Sequence, residues 1–224
     1  LYQSRSVRCT LIEGSSNGKL RYTLQMPTTS TRGALIVISG PSGVGKTTIV
    51  HKVKEELDAI FSVSATTRPI SDRETDGVDY YFITPTRFEE MVQTGAFLEH
   101  AEVFHCHRYG TLKEPVEKVL EAGKSMLLDI DVQGGMQVHK NMPESLRFFI
   151  LPPSEEELFR RLTARGRDDA DSIERRFSEA KQEIKLARES NADDFFIVND
   201  NLDLAVAETV AIIKKCQDTA QSTP

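Results

Sequence analysis

The chain has 224 residues, 39% hydrophobic and 28% charged, which suits one globular domain or one domain with a small mobile insert. Lys+Arg 28 against Asp+Glu 34 gives a net charge of −6, which disfavours nucleic-acid binding through bulk positive charge. No apolar run approaches the ~20 residues of a membrane-spanning helix. The three cysteines, Cys9, Cys106 and Cys216, are far apart and fit a reducing compartment such as the cytoplasm better than a disulfide framework.

Residues 1–33 stand apart. They carry five basic side chains (Arg5, Arg8, Lys19, Arg21, Arg32) against one acid, Glu13. The segment is rich in Ser, Thr and Gly and has no long apolar run. It reads as a disordered leader that supplies no apolar face to dock, with organelle import as a minor alternative. From Ala34 the pattern changes. Ala34 to Ser39 is a continuous apolar run, as for a strand buried on both faces of a parallel sheet. A Gly-rich turn and a helix over 46–57 follow. Further strands are expected over 61–65, 80–83, 126–131, 148–151 and 195–198, with helices over 87–94, 114–122 and 203–215. Ser154-Glu-Glu-Glu157 has the form of a capping box before an apolar stripe at Leu158 and Leu162. Ile173, Phe177, Ala180, Ile184 and Ala187 recur at helical spacing. Strands alternating with helices imply an α/β domain with a mainly parallel sheet and helices on both faces.

Gly40-Pro41-Ser42-Gly43-Val44-Gly45-Lys46-Thr47 matches G-x-x-x-x-G-K-[ST] in full, with a buried strand before it and a helix after it. Glycines let the backbone wrap an anionic triphosphate with several N–H groups pointing inward. The helix N-terminus adds partial positive charge. Lys46 supplies a point charge at the β/γ-phosphates, and the Thr47 hydroxyl suits Mg²⁺. Thr48 continues the loop into the helix. The motif implies a nucleoside triphosphate without fixing the reaction.

A GTPase would carry an Asn-Lys-x-Asp segment late in the domain, and the chain has none. Asp131-Val-Gln-Gly134 spells D-x-x-G, which alone is weak. Six arginines instead fall within 17 residues: Arg160, Arg161, Arg165, Arg167, Arg175 and Arg176. Arg161 and Arg165 share a helix face at i,i+4, where like charges cost a few tenths of a kcal/mol unless an anion neutralises them. A lid lowering arginines onto transferring phosphates would provide that anion. A solvated face paired to Asp168, Asp169, Asp171 and Glu174 is the plainer alternative.

Further segments complete the pattern: Thr66-Thr-Arg68, then Glu74, Gly77 and Tyr80-Tyr-Phe82. After them come Phe97-Leu-Glu99, Tyr109-Gly-Thr111 and Leu128-Asp129-Ile-Asp131-Val-Gln-Gly134. On these residues, the phosphate loop and Arg161-Leu-x-x-Arg165-Gly, the chain resembles guanylate kinase from about Ala34 to Lys214. The resemblance implies ATP + GMP ⇌ ADP + GDP with Mg²⁺, and ATP and GMP or dGMP as substrates. It implies a nucleoside monophosphate kinase fold over 34–214, with a GMP-binding lobe over about 66–115, a lid over about 154–190 and a tail over 215–224. By resemblance, Ser64, Arg68, Tyr80 and Tyr109 hold the GMP phosphate. Glu99, Thr111 and Asp131 read guanine. Arg161, Arg165 and Arg176 contact the transferring phosphates with Lys46. Asn199 borders the ATP purine. Asp129 orients Mg²⁺ and its water. Asp129 and Asp131 are expected to alternate on one strand and point to the same side.

The chemistry is coherent on its own. A GMP phosphate oxygen is already anionic at neutral pH, so transfer needs positioning and charge neutralisation more than a strong base. Guanine presents two adjacent donors, N1–H and the 2-amino group, to which a carboxylate is a matched acceptor pair. Two departures stand out. The family pattern has a second basic residue three positions after Arg68, where this chain has Ser71. Arg73 is the nearby candidate to replace it, unless Arg73 pairs with Asp72 or Glu74. The stretch His105-Cys-His107 before Arg108 is one residue longer than usual and reads as a polar loop, not a metal site. Two other readings are a non-catalytic binding module, which would tolerate a damaged phosphate loop, and a kinase for another nucleoside monophosphate.

Overall fold

The structure, a computed structural model, describes residues 8–12, 21–25, 32–103, 107–164 and 169–221. Five parallel strands form the central sheet, in the order β11-β10-β3-β9-β4. They are β3 (Leu35–Ser39), β4 (Ile60–Phe61), β9 (Met126–Asp129), β10 (Leu146–Leu151) and β11 (Phe195–Val198). The centre of the sheet is buried on both faces, which explains the unbroken apolar runs. Alternate residues of β3 enter different cores. Ile36 and Ile38 pack with Phe148, Ile150 and Phe195, while Leu35 and Val37 pack with Leu98, Leu120 and Leu128. A fully buried side chain of this size contributes about 1.5–3 kcal/mol. The helices α1 (Lys46–Leu57) and α7 (Leu202–Gln221) pack against each other beside the first core. The helices α3 (Lys113–Glu121) and α4 (Val132–Asn141) contribute Val116, Leu120 and Val138 to the second, with Met142 at the C-cap of α4. No helix of the described residues is long and apolar enough to cross a membrane.

A second sheet of four strands has the order β6-β5-β8-β7, with β5 (Ala65–Thr66), β6 (Tyr81–Phe82), β7 (Phe97–Val103) and β8 (His107–Leu112). Its small core is Ala65, Phe88 and Phe97, the two rings stacked at 4.4 Å. Phe88 comes from α2 (Pro85–Gln93), whose N-cap Thr84 accepts from the Arg87 N–H. The single strand expected over 61–65 is two strands in two sheets. β4 pairs with β9, and β5 pairs with β6 and β8, with Ser62-Val-Ser64 crossing between.

Two helices, α5 (Glu155–Ala164) and α6 (Ala170–Ser190), pack on each other. The capping box at Ser154 is half realised: its hydroxyl accepts from the Glu157 N–H at 3.2 Å, but the Glu157 carboxylate turns to two arginines instead of the cap. Two short strands lie within residues 1–33. β1 (Arg8–Ile12) and β2 (Arg21–Gln25) pair antiparallel, with Cys9 opposite Leu24 and Leu11 opposite Tyr22. That alternation is short, which is why a search for long apolar runs passes over it.

Candidate active site

The phosphate loop runs from the end of β3 into α1. Gly45 is the N-cap of α1, at φ 89°, with no side-chain cap, and the first turn holds no acid. The leading N–H groups of α1 therefore face outward without a competing side chain, the arrangement that binds phosphate. Gly45 must be glycine on two counts. Its φ is positive, and a Cβ would sit 2.7 Å from Asn199 Nδ2. Gly40 and Gly43 also have positive φ, Pro41 and Val44 are buried, and Ser42, Thr47 and Thr48 are exposed.

Two clefts open at the C-terminal ends of the central strands, where open α/β sheets place their ligands. The first, about 420 Å³, is lined by Gly43, Gly45, Thr48, Arg160, Arg161 and Asn199, among others. The second, about 150 Å³, is lined by Ser62, Ser64, Tyr80, Thr111 and Asp129, with four further residues. Lys46 follows Gly45 of the first cleft in the chain and reaches two residues of the second. Its Nζ donates to the Ile130 carbonyl at 2.8 Å and lies 3.0 Å from Asp129 Oδ1.

Around the first cleft, Asn199 is buried and its Nδ2 donates to the Val44 carbonyl at 2.6 Å, so it holds the phosphate loop. Arg161 donates to the Asn199 carbonyl at 3.0 Å and to Glu157 at 2.7 Å. Arg160 takes the same carboxylate in a fork, at 2.7 Å to each oxygen. Arg160 first, then Arg161, hold the Glu157 carboxyl down at about 2. The pairing expected with Asp168, Asp169, Asp171 or Glu174 is thus made by Glu157 for these two arginines. Arg176 reaches from α6 to the Ser42 hydroxyl at 2.5 Å. Arg165 and Arg167 lie outside the described residues, as do His105 and Cys106.

Around the second cleft, Glu99 is 6% exposed and Thr111 is fully buried. Glu99 Oε1 accepts from the Thr111 N–H at 3.0 Å and from its hydroxyl at 2.6 Å. Burial pushes the Glu99 carboxyl up; the Thr111 hydroxyl opposes this, and the Asp131 charge adds to it. Asp131 is not on the strand. β9 ends at Asp129, and Asp131 is the N-cap of α4, accepting from the Gly134 N–H at 2.7 Å. The chain leaves the sheet two residues earlier than the expected strand over 126–131, so the two aspartates serve different elements.

Arg68 grips Glu74 with both arms, at 2.5 and 2.9 Å, and lies 5.5 Å from the Tyr80 and Phe82 ring centres. Tyr109 packs edge-on against Tyr80 at 5.7 Å. The Ser71 N–H and hydroxyl both donate to Glu74. Arg68, then Ser71, hold Glu74 at about 2. Arg73 is exposed and makes no hydrogen bond or ion pair among the described residues. Glu74 is therefore not its partner.

A family profile described as guanylate kinase matches residues 32–216. The chain belongs to the guanylate kinase family. It is 48% identical over 184 residues to the guanylate kinase of Anaeromyxobacter dehalogenans, covering 81% of this chain and 80% of that one. It is 46% identical over 182 residues to the guanylate kinase of Thermus thermophilus, covering 81% of each. The crystal structure of guanylate kinase from Anaplasma phagocytophilum superposes with a TM-score of 0.62 at 33% identity, over 82% of this chain and 86% of that one. Guanylate kinase membership accords with the parallel core, the phosphate loop and the second sheet.

Sequence reasoning missed two acids in this guanylate kinase-family site. Glu157 organises Arg160 and Arg161 but reads from sequence as a capping residue. Glu183 on α6 reads as one more charge between apolar positions. Burial pushes its carboxyl up to about 7; Lys46 opposes the shift, while Asp131 and Glu179 add to it.

Proposed function

We propose that the protein is a guanylate kinase that transfers the ATP γ-phosphoryl group to GMP or dGMP, giving ADP and GDP or dGDP. The observation that carries this reading is the reach of Lys46, next in the chain to Gly45 of the first cleft, to Asp129 and the Ile130 carbonyl of the second, with the buried Glu99–Thr111 pair beside that second cleft. In this reading ATP takes the first cleft. Its phosphates lie on the loop from Gly40 to Thr48, with Asn199 beside the purine and also bracing the loop. GMP takes the second cleft, with its phosphate on Ser64, Arg68, Tyr80 and Tyr109 and its base toward Glu99, Thr111 and Asp131. The β5–β8 sheet with α2 is the GMP-binding lobe. The pair α5–α6 is a lid that brings Arg161, Arg165 and Arg176 to the transferring phosphates.

The donor set suits Mg²⁺. The Thr47 hydroxyl and the Asp129 carboxylate are hard oxygen ligands, few in number, and Mg²⁺ keeps most of its waters. Bound with ATP, Mg²⁺ would neutralise charge at the β- and γ-phosphates. The chain's own groups do the rest. Lys46 holds the γ-phosphoryl between donor and acceptor, and the arginines balance the charge that spreads over it. The acceptor oxygen needs no base, so positioning decides the rate. We place the protein in the cytoplasm, which its spaced cysteines suit.

A coupled ADP-release assay tests the reading. GMP and dGMP should support ATP-dependent ADP release, and AMP and CMP should not. Equal rates with AMP would sink it, and no turnover with any acceptor would favour the binding module.

Arg73 carries a separate expectation. Arg68 already shares its fork with Glu74, and Ser71 brings no charge, so the GMP dianion calls for another cation. Arg73 lies on the same short loop, and its long fork suits phosphate. Arg73→Ala should raise the GMP KM about tenfold or more, from a charge-assisted contact of ~1.5–3 kcal/mol, with the ATP KM unchanged. Parental GMP kinetics across salt concentrations would remove Arg73 from the site.

A further inference from the structure

Strand β7 is the outer strand of the second sheet, and its pairing with β8 slips once. Phe97 lies opposite Leu112 and Glu99 opposite Thr111, so Leu98 is an extra residue on β7. Such a bulge interrupts the ladder and re-aims nearby side chains. The interruption is repaired from two sides. The Thr111 N–H donates to Glu99 Oε1 at 3.0 Å, and the Leu98 carbonyl accepts from Asn141 Nδ2 at 2.7 Å. One residue on, the His100 N–H donates to Gln137 Oε1 at 3.1 Å, and the His100 carbonyl accepts from Gln137 Nε2 at 2.8 Å. A primary amide offers the same donor and acceptor as a peptide unit. Gln137 therefore serves the open edge of β7 as a neighbouring strand would.

Gln137 and Asn141 lie at i,i+4 on α4, on one face. Their contacts fall on Leu98 and His100, on either side of Glu99. The same helix begins at Asp131, and its Gly134 approaches so closely that a Cβ there would sit 3.0 Å from Glu99 Oε2. Adhesion between α4 and β7 has another source: Leu98, Val138 and Met142 share one apolar core. Apolar packing is non-directional and leaves the strand free to slide or roll by fractions of an ångström. The two amides are directional and fix what packing does not.

We propose that Gln137 and Asn141 are positioning residues that hold the bulged edge of β7 so that the Glu99 carboxylate meets the guanine 2-amino group, and that they thereby set discrimination of the acceptor base. The proposal rests on the reading of Glu99 given above. It assigns α4 a single task, fixing Asp131 and Glu99 relative to one another across two sheets. Loss of an anchor should act on base choice and spare the distant ATP cleft.

Steady-state kinetics with GMP and with IMP, which lacks the 2-amino group, test it. The variants are Gln137→Met, Asn141→Ala, Glu99→Gln and the Gln137→Met/Glu99→Gln pair. Loss of a neutral hydrogen-bonded anchor should lower the GMP-to-IMP ratio of kcat/KM by about three- to tenfold. The change should come through the GMP KM, with the ATP KM at the parental value. In the Glu99→Gln background, Gln137→Met should add no further loss of ratio, because it acts through Glu99. A parental ratio in both anchor variants overturns the proposal, as does an additive loss in the pair. If Gln137→Met does not fold, Gln137→Glu keeps the acceptor for the His100 N–H, sets an acceptor against the His100 carbonyl in place of the donor, and decides by the same ratio. An unchanged ratio in Glu99→Gln itself overturns the reading of Glu99 and the proposal with it. A lowered ratio there with parental anchor variants overturns the positioning role alone.

Discussion

Lys46→Ala should cut kcat by about a hundredfold to a thousandfold or more, the scale set by losing one preorganised electrostatic contact at a developing charge, while GMP binds nearly as before. The geometry gives the reason. Lys46 Nζ is held by the Ile130 carbonyl at 2.8 Å and Asp129 at 3.0 Å, both of which line the second cleft. Its position is set before any nucleotide arrives, so little reorganisation accompanies transfer. The ammonium also offsets negative charge. Asp129 lies beside it, and Lys46 opposes the burial that pushes Glu183 up. Without Lys46, Asp129 loses its ion-pair partner where the phosphates enter, and the Glu183 carboxyl rises further. The GMP contacts assigned to Ser64, Arg68, Tyr80 and Tyr109 lie on other elements and should survive. Calorimetric GMP affinity and kcat, measured on a variant whose thermal melting matches the parent, check this result. A Lys46→Ala enzyme that keeps most of its ATP-dependent turnover would refute the kinase reading.

The parts legible in the sequence are those whose cause is local. The run from Ala34 to Ser39 is apolar throughout because β3 feeds two cores, and the glycines at 40, 43 and 45 mark a loop whose φ values only glycine takes easily. Where the cause lies far along the chain, the reading fails. α4 is hidden because it opens Val132-Gln-Gly-Gly135, a poor helix start by propensity. Gly134 is there because Glu99, thirty-five positions earlier, presses against it. β7 and β8 escape notice because β7 sets Glu99-His-Ala-Glu102 between apolar ends and β8 carries His107, Arg108 and Thr111, so the alternation that marks a half-buried strand is blurred. Ser62 to Ser64 looks like strand interior but is the crossing between two sheets, and its two serines line the second cleft. The candidate site residues were legible as types, through the family resemblance. Their partners were not: Arg161 with the Asn199 carbonyl and Lys46 with Ile130 are contacts that only the fold creates.

Glu99→Gln should lower the preference for GMP over other acceptors by about tenfold or more, with the ATP KM unchanged. The buried Thr111 supplies an N–H and a hydroxyl to Glu99 Oε1. A glutamine would keep its oxygen on that side to satisfy both donors. Its NH₂ would then point where guanine presents N1–H and the 2-amino group, donor against donor. Charge-assisted hydrogen bonds are worth ~1.5–3 kcal/mol each, which converts to about ten- to hundredfold in affinity. The pH dependence supplies a second readout. Burial holds the Glu99 carboxyl above its ordinary value, so the empty site takes up a proton at a higher pH than a free glutamate would. Oε1 already accepts twice from Thr111, so the proton falls on Oε2 and turns the oxygen that would face guanine from an acceptor into a donor. The GMP KM should therefore climb as pH falls through that raised value, before exposed carboxylates titrate. The glutamine variant has no such proton to bind, and this limb of its profile should be flat. Measuring kcat/KM for GMP and IMP across the acid range on both proteins separates the two effects. A parental preference for GMP in the variant, or the same acid limb in both proteins, would take Glu99 out of the base-reading role.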